Sequence, residues 1–304
     1  MSRVASVLTH RRAGDTMAAL GALIGAARRA DVTLRFDEQE TRKHGLTPGE
    51  GIEIDAGLAR DVDLCVVMGG DGTILTALRA YANTGVPVFA VNFGEVGFLA
   101  TLDPDGLDAD FDRAFSGDFD RWELPGITIG RPEGTWTAMN DISVHRKPGF
   151  RVADLAYALA GEEIGRVRCD GLVVATPQGS SAYTLASGGP LIAHTTNALV
   201  ITPLAPHGGS VPSVVLPGEG KVRIGVDSGW SGARIEIDGR VVAVEEPEGE
   251  QSAFELEATL CPGAATLLDF DGETLIEGLR RRGVISDSPR LRVRDNRAAS
   301  AKGS

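Results

Sequence analysis

Along the first hundred residues, short apolar runs alternate with stretches whose apolar positions recur every three or four residues. Val4 to Leu8 reads as a strand. Thr16 to Arg29 reads as a helix, with Met17, Leu20, Leu23 and Ile24 at helical spacing. Val32 to Phe36 is a second strand, and Gly45 to Leu58 reads as loop plus a short helix. Leu64 to Met68 is a third strand, all apolar and therefore buried on both faces. Two glycines follow, then a helix to about Ala82 with Ile74, Leu75 and Leu78 on one side. Val86 to Val91 is a fourth strand leading into Asn92-Phe93-Gly94-Glu95-Val96-Gly97-Phe98-Leu99. Strands separated by helices predict an α/β N-terminal domain over residues 1–120, a doubly wound, Rossmann-like parallel sheet that binds ligands beyond the carboxyl ends of its strands.

After about residue 120 the period falls to two. Lys221 to Val226, Arg234 to Asp238 and Ala253 to Glu257 alternate apolar and charged residues, the mark of half-buried antiparallel strands. Residues 121–264 are therefore expected to form a β-rich C-terminal domain. A closing helix over Gly272 to Arg282 (Leu275, Ile276, Leu279) returns to the first domain within a closing segment 265–285. The polar, Arg-rich tail 286–304 is expected to be mobile.

Composition narrows the function classes. The chain has 304 residues, 42% hydrophobic and 24% charged, which suits a globular protein of about two domains. No apolar run approaches the roughly 20 residues that span a bilayer. The first residues have no signal-peptide layout, so a cytoplasmic location is expected. A net charge of −12 argues against nucleic-acid or membrane-surface partners. Cys65, Cys169 and Cys261 lie far apart and read as free thiols. Zinc-protease, Cys-x-x-Cys, serine-hydrolase and Walker motifs are absent, and no metal site built from protein ligands is expected.

Candidate chemistry gathers in three places. Gly69-Gly70-Asp71-Gly72-Thr73 turns from a strand end into a helix start. Free backbone N–H groups and the helix dipole favour an anion there, and missing Cβ atoms let a phosphate approach. Asp71 adds negative charge to that cradle, so it is assigned a task such as orienting a hydroxyl, against the plainer reading of a helix cap. Asn140-Asp141 places an amide beside a carboxylate, a pair suited to sugar hydroxyls. Arg168-Cys169-Asp170-Gly171-Leu172 runs through a buried strand to Thr176-Pro177-Gln178-Gly179-Ser180-Ser181-Ala182-Tyr183 and on to Gly188-Gly189-Pro190.

Taken in order, these segments resemble the NAD kinase family over most of the chain. Gly69 to Thr73 matches its GGDGT signature, and Asn92 to Leu99 matches its N-x-G-x-x-G-F-L segment. Asn140-Asp141 matches its Asn-Glu/Asp pair, and Asp170 to Pro190 follows its DGL, TPTGSTAY and GGP block. Pro206-His207 and Asp238-Gly239 fall where the family has PH and DG. The turn alone is shared with lipid kinases and phosphofructokinases, so a lipid or alcohol kinase and a non-catalytic NAD-binding paralogue are the competing readings.

The resemblance implies transfer of a phosphoryl group from ATP or another donor, with Mg²⁺ or another divalent metal, to the adenosine-ribose 2′-hydroxyl of NAD. It makes Asp71 the catalytic acid–base and sets Gly72, Asn140, Asp141, Arg151, Arg168, Asp170, Ser181, Ala182, Tyr183, Ala186 and Arg240 against NAD. Gly69, Gly70, Thr73, Asn92 and Phe98 fall to the donor side. It also implies a homodimer or homotetramer. This chain departs from the family at Gln178, at the order Ala186-Ser187, at Arg240, at Glu95, and at Pro206 to Ser213, which lacks the family's arginine.

Overall fold

The computed structural model describes residues 3–285 except 58–59, 95–98, 101, 103, 105, 132–133, 150, 210, 228–232, 246–253, 271–278, 281–282 and 284. The N-terminal part runs β1 (Arg3–Thr9), α1 (Ala13–Arg29), β2 (Val32–Arg35), α2 (Glu38–His44), β3 (Ile52–Glu53), β4 (Leu64–Gly69), α3 (Asp71–Ala80), β5 (Pro87–Asn92) and α4 (Leu107–Ser116). Its strands lie in the order β3-β2-β1-β4-β5 with parallel pairing throughout. Successive β4 side chains divide between the two faces. Leu64, Val66 and Met68 pack with α1 and α4, while Cys65 and Val67 pack with α3. The sheet is thus covered on both sides, which is why β4 is apolar at every position.

Two elements differ from the sequence expectation. The short helix lies at Glu38–His44, ahead of Gly45 rather than after it, and the only strand between Gly45 and Asp61 among the described residues is the two-residue β3. Asp37 caps that helix by accepting from Glu40 N at 2.7 Å, and Gly45 ends it in the left-handed region. Helix α4 is not foreseen. It buries Leu107, Phe111, Ala114 and Phe115 against α1.

The C-terminal part adds β6 (Asp120–Arg131), β7 (Gly134–Ala138), β8 (Asp141–Arg146), β9 (Ala153–Leu159), β10 (Glu162–Cys169) and β11 (Gly171–Ala175). After a 3₁₀ turn at Gln178–Ser181 come α5 (Tyr183–Ala186), β12 (Ala198–Leu204), β13 (Val214–Pro217), β14 (Lys221–Asp227), β15 (Ala233–Ile237), β16 (Arg240–Glu245) and β17 (Phe254–Asp269). Strands β13-β12-β11-β8-β15-β16 form an antiparallel sheet. It packs its Ile142, Val144, Leu172, Val174 and Ile235 face on Ile127, Leu155, Ile224 and Leu256 of the other sheet. Each such buried side chain contributes about 1.5–3 kcal/mol relative to exposure.

Strand β17 joins the two parts. Its first half pairs antiparallel with β14, and Thr266 and Leu267 then pair parallel with β5, so residues 265–269 of the expected closing segment are strand. One continuous sheet therefore carries both the parallel strands and one side of the β-sandwich. Leu279 and Arg280 are helical, with Leu279 buried; the rest of the expected helix up to Arg282, and the tail from 286, lie outside the described residues.

Candidate active site

The glycine turn follows directly from β4. Gly69 ends the strand, Gly70 is the N-cap of α3, and Asp71 is the first helical residue. Buried Ile74, Ala77 and Leu78 hold the helix down, which leaves Gly72, Thr76 and Arg79 along its more open side. A second turn presses on the first. Phe93 N donates to Gly69 O at 3.0 Å, and a Cβ on Gly94 would lie 2.8 Å from Gly70 Cα. A side chain at Gly94 would force the loops apart, and a Cβ on Gly70 would press on Gly94 Cα at 3.2 Å. Asn92 accepts from Gly94 N at 2.9 Å through Oδ1 and so closes its own turn. Leu99 N donates to Asp71 Oδ1 at 3.0 Å, fixing one carboxylate oxygen. Thr73 N donates to Gly70 O in the first turn of the helix. Phe98 and Glu95 lie outside the described residues.

Asn140 and Asp141 lead into β8 and are held by the acid of the Asp238-Gly239 pair. Asp238 accepts from Met139 N at 3.0 Å, Asn140 N at 2.7 Å and Asp141 N at 3.1 Å. Its side chain is fully buried, with Arg79 Nε of α3 at 3.9 Å. Met139 packs in the same cluster as Ile74, Leu78 and Leu99. Asp238 and Met139 therefore lock the amide–carboxylate pair to the helix that carries Asp71. Asn140 Oδ1 is buried and has no hydrogen-bond partner, an acceptor waiting for a donor.

Asp141 is 4% exposed. Burial, followed by the carboxylates of Asp238 and Glu236, pushes its carboxyl up to about 7. Burial also raises Asp238, against the three N–H bonds and Arg79. The folded chain keeps the proton on Asp141 until about pH 7, whereas the unfolded chain releases it near 4. Stability contributed by this group therefore falls as the pH rises through that window and levels off above it. Asp141→Asn is expected to be more stable than the parent at pH 8, by at most about 4 kcal/mol, with little gain at pH 4. Urea unfolding of both proteins at the two pH values checks this. An equal difference at both would show that the carboxyl is not held neutral.

The outer face of β8 continues the polar row. Asp141, Ser143 and His145 alternate with the core residues Ile142 and Val144. Across β8, Glu236 of β15 stands opposite Ser143 and Val173 of β11 does the same on the other side. His145 Nε2 lies 2.8 Å from Ser143 Oγ and 3.7 Å from Glu236 Oε2. The Tyr183 ring stacks on His145 at 5.9 Å. The alternation Asp-Ile-Ser-Val-His puts Ser143 and His145 on the face of Asp141, whereas only strand pairing brings Glu236 beside them.

The segment from Thr176 to Ala186 roofs this face. Gly179 packs so tightly that a Cβ would lie 1.9 Å from Asn140 O. Ser181 Oγ donates to Gln178 O, Tyr183 is 38% exposed, and Ala186 is exposed on α5. Ala182 links the 3₁₀ turn to α5.

Arg168 and Asp170 are bonded away from Asp71 and Asn140. Arg168 forks onto Asp154 at 2.8 and 3.0 Å. Its neighbours Val167 and Cys169 face the core, so alternation turns Arg168 outward from the sandwich. Arg151 is exposed between β8 and β9. Asp170 accepts from Arg146 Nε at 2.9 Å at the far end of β8, five residue steps or roughly 17 Å from Asp141. Arg240 reaches α3 instead, with Nη2 at 3.5 Å from Thr76 Oγ1.

The sequence model of the ATP-NAD kinase N-terminal domain matches residues 24–119, and that of the C-terminal domain matches residues 139–254. The chain belongs to the NAD kinase family. An NAD kinase from Gemmatimonas aurantiaca is 31% identical over 241 residues, 77% of this chain and 81% of that protein. One from Heliobacterium modesticaldum is 36% identical over 186 residues, 60% of this chain and 66% of its own length. Two solved structures share the fold. Yeast NADH kinase complexed with NADH superposes with a TM-score of 0.80 at 21% identity, covering 94% of this chain and 89% of its own. An Archaeoglobus fulgidus NAD kinase in complex with ATP gives 0.71 at 23%, covering 91% and 98%.

Within the NAD kinase pattern, the departure at Gln178 has a structural account. Its side chain is 1% exposed, and Nε2 donates to Pro125 O and Met139 O, both at 2.6 Å. It staples β6 to the residue before Asn140, where a small hydroxyl residue would reach less far. Nothing in the structure explains the exchanged order of Ala186 and Ser187.

Proposed function

We infer that this chain is an NAD kinase, a phosphotransferase that moves the terminal phosphoryl group of ATP to the 2′-hydroxyl of the adenosine ribose of NAD. The observation that carries this reading is the locking of Asp71 to Asn140-Asp141 through Asp238 and Met139. A base-capable carboxylate and a hydroxyl-reading pair thereby stand on one frame.

Asp71 aligns the ribose hydroxyl and accepts its proton. The 2′-oxygen attacks the terminal phosphorus, the bond from that phosphorus to the bridging oxygen breaks, and ADP leaves. Little covalent work falls to the protein in such a transfer, so positioning and charge neutralisation dominate. The N-terminal turn of α3 supplies N–H groups and the positive end of a dipole to the phosphates. Asn140 Oδ1, buried and unpartnered, takes a ribose hydroxyl as donor. Asp141, with its carboxyl pushed up to about 7, can both donate and accept beside it. Tyr183 over His145 offers a flat surface to a base or nicotinamide ring.

Among the described residues no three His, Cys, Asp or Glu side chains gather as a metal site. Asp71 is the carboxylate that would hold a Mg²⁺ ion together with the donor's phosphates. The ion would supply neutralisation of phosphate charge. Arg168 and Asp170, bonded away from Asp71, and the exposed Arg151 are proposed to meet the dinucleotide from a neighbouring subunit of a homo-oligomer. A cytoplasmic location goes with this reading.

The test is direct. Purified protein with NAD, MgATP and, in parallel, inorganic polyphosphate should produce NADP, read by an enzymatic cycling assay. No NADP with any of these donors would overturn the proposal.

A further inference from the structure

On the open side of α3, one turn beyond the glycines, two positive charges converge on a single hydroxyl. Thr76 Oγ1 donates to Gly72 O at 2.9 Å, which leaves its lone pairs as acceptors. Arg79 Nη2 approaches that oxygen at 3.4 Å and Arg240 Nη2 at 3.5 Å, both long for a hydrogen bond. Among the described residues the carboxylate paired with Arg79 is Asp238, 3.9 Å from Nε, and it is already committed to three backbone N–H groups. Among the described residues Arg240 pairs with no carboxylate.

Arg240 is exposed and its guanidinium is open to water, whereas the Arg79 side chain is 14% exposed and depends on what faces it. Here burial, with Arg240 pressing in the same direction and Asp238 opposing, lowers the proton affinity of the Arg79 side chain. Two guanidiniums left facing one neutral oxygen have most of their N–H donors unspent. Tetrahedral oxyanions match such forks, because each oxygen pair can accept two parallel bonds. Thr76 lies about 6 Å, just over one helical turn, along α3 from Gly72. An anion there would continue the row of phosphate positions that begins at the free N–H groups of the α3 N-terminus.

We propose that Arg79 and Arg240 form a clamp for phosphate oxygens on the side of α3, holding either the chain of the phosphoryl donor or the newly made 2′-phosphate. The assignment rests on the kinase reading for the identity of its ligands, while the clamp itself is defined by anion binding. Arg79, half-buried and tied to Asp238, is the fixed arm. Arg240, reaching in from the start of β16, is the free arm.

Calorimetric titration of the full chain with sodium tripolyphosphate, NAD and NADP separates the outcomes. Arg240→Gln should weaken tripolyphosphate about tenfold or more with NAD unchanged if the clamp serves the donor. It should weaken NADP but not NAD by a similar factor if it serves the product. Unchanged affinities for both anions, or equal losses for NAD and NADP, would overturn the clamp. So would a parent protein that neither binds tripolyphosphate nor prefers NADP to NAD. Arg79→Gln also removes a partner of Asp238, so Arg240→Gln carries the test and Arg79→Lys checks that a bare charge without the fork recovers only part of the binding. None of these readouts needs turnover, so a protein that makes no NADP would sink the kinase reading and leave the clamp to stand or fall by itself.

Discussion

Replacing Asp71 by Asn should lower the rate of NADP formation by a factor of about 10³ or more while leaving NAD affinity within a few-fold. The amide has the size of the carboxylate, and its oxygen can still accept from Leu99 N, which holds the second glycine loop in place. The turn, the helix start at Gly70 and the contact between Gly70 and Gly94 are therefore retained. On the proposed role of Asp71, the substitution removes the proton acceptor and the negative end of the hydrogen bond that would aim the hydroxyl. A general base alone accounts for roughly 10²–10⁴. Single-turnover kinetics together with calorimetry of NAD binding make the check. A variant that turns over near the parent rate would remove Asp71 from the chemistry, and one that loses NAD binding in proportion would make it a binding residue.

Gly179→Ala should do comparable damage by a different route. The new methyl would stand 1.9 Å from Asn140 O, 2.4 Å from Asn140 C and 2.6 Å from its Cα, all backbone atoms that cannot rotate away. Either the Thr176–Ser181 turn lifts or Asn140 shifts. Both moves break the bonds from Thr176 N and Oγ1 to Asn140 O and displace the buried Oδ1 acceptor. Overpacking in a tight site typically costs 1–3 kcal/mol, and about 3 is expected here because the neighbour is main chain. The melting temperature should fall by several degrees, and NAD affinity by about tenfold or more. Gly72→Ala is the control for the fold. Nothing lies within 4 Å of its added Cβ and its backbone is helical, so stability should hold or rise slightly. If Gly179→Ala unfolds and binds as the parent does, the turn does not set the position of Asn140.

Much of the site was legible because its signals are local. The strand–glycine–helix sequence at Leu64 to Ala80 needs only near neighbours to specify a turn. The run from Asp170 to Pro190 likewise declares a strand end, a tight turn and a short helix. Helix α4 has the right spacing in Leu107, Phe111, Ala114 and Phe115, but four acidic and basic residues among ten obscure it. The short helix near Glu38 is marked by an Asp cap and a Gly end, and such boundaries are the weakest part of any sequence reading.

By itself the sequence determined the alternating α/β half, the β-rich half, the glycine cradle with its single acid, and the Asn-Asp pair, because periodicity, turns and caps act over a few residues. Only the tertiary structure decided that Asp238 holds the pair from 97–99 residues away, and that Arg240 meets Thr76 across 164. It also decided that Arg168 turns outward to Asp154, since strand register sets which face a side chain takes. Contacts of that kind depend on which surfaces pack together, and packing is a property of the whole folded chain.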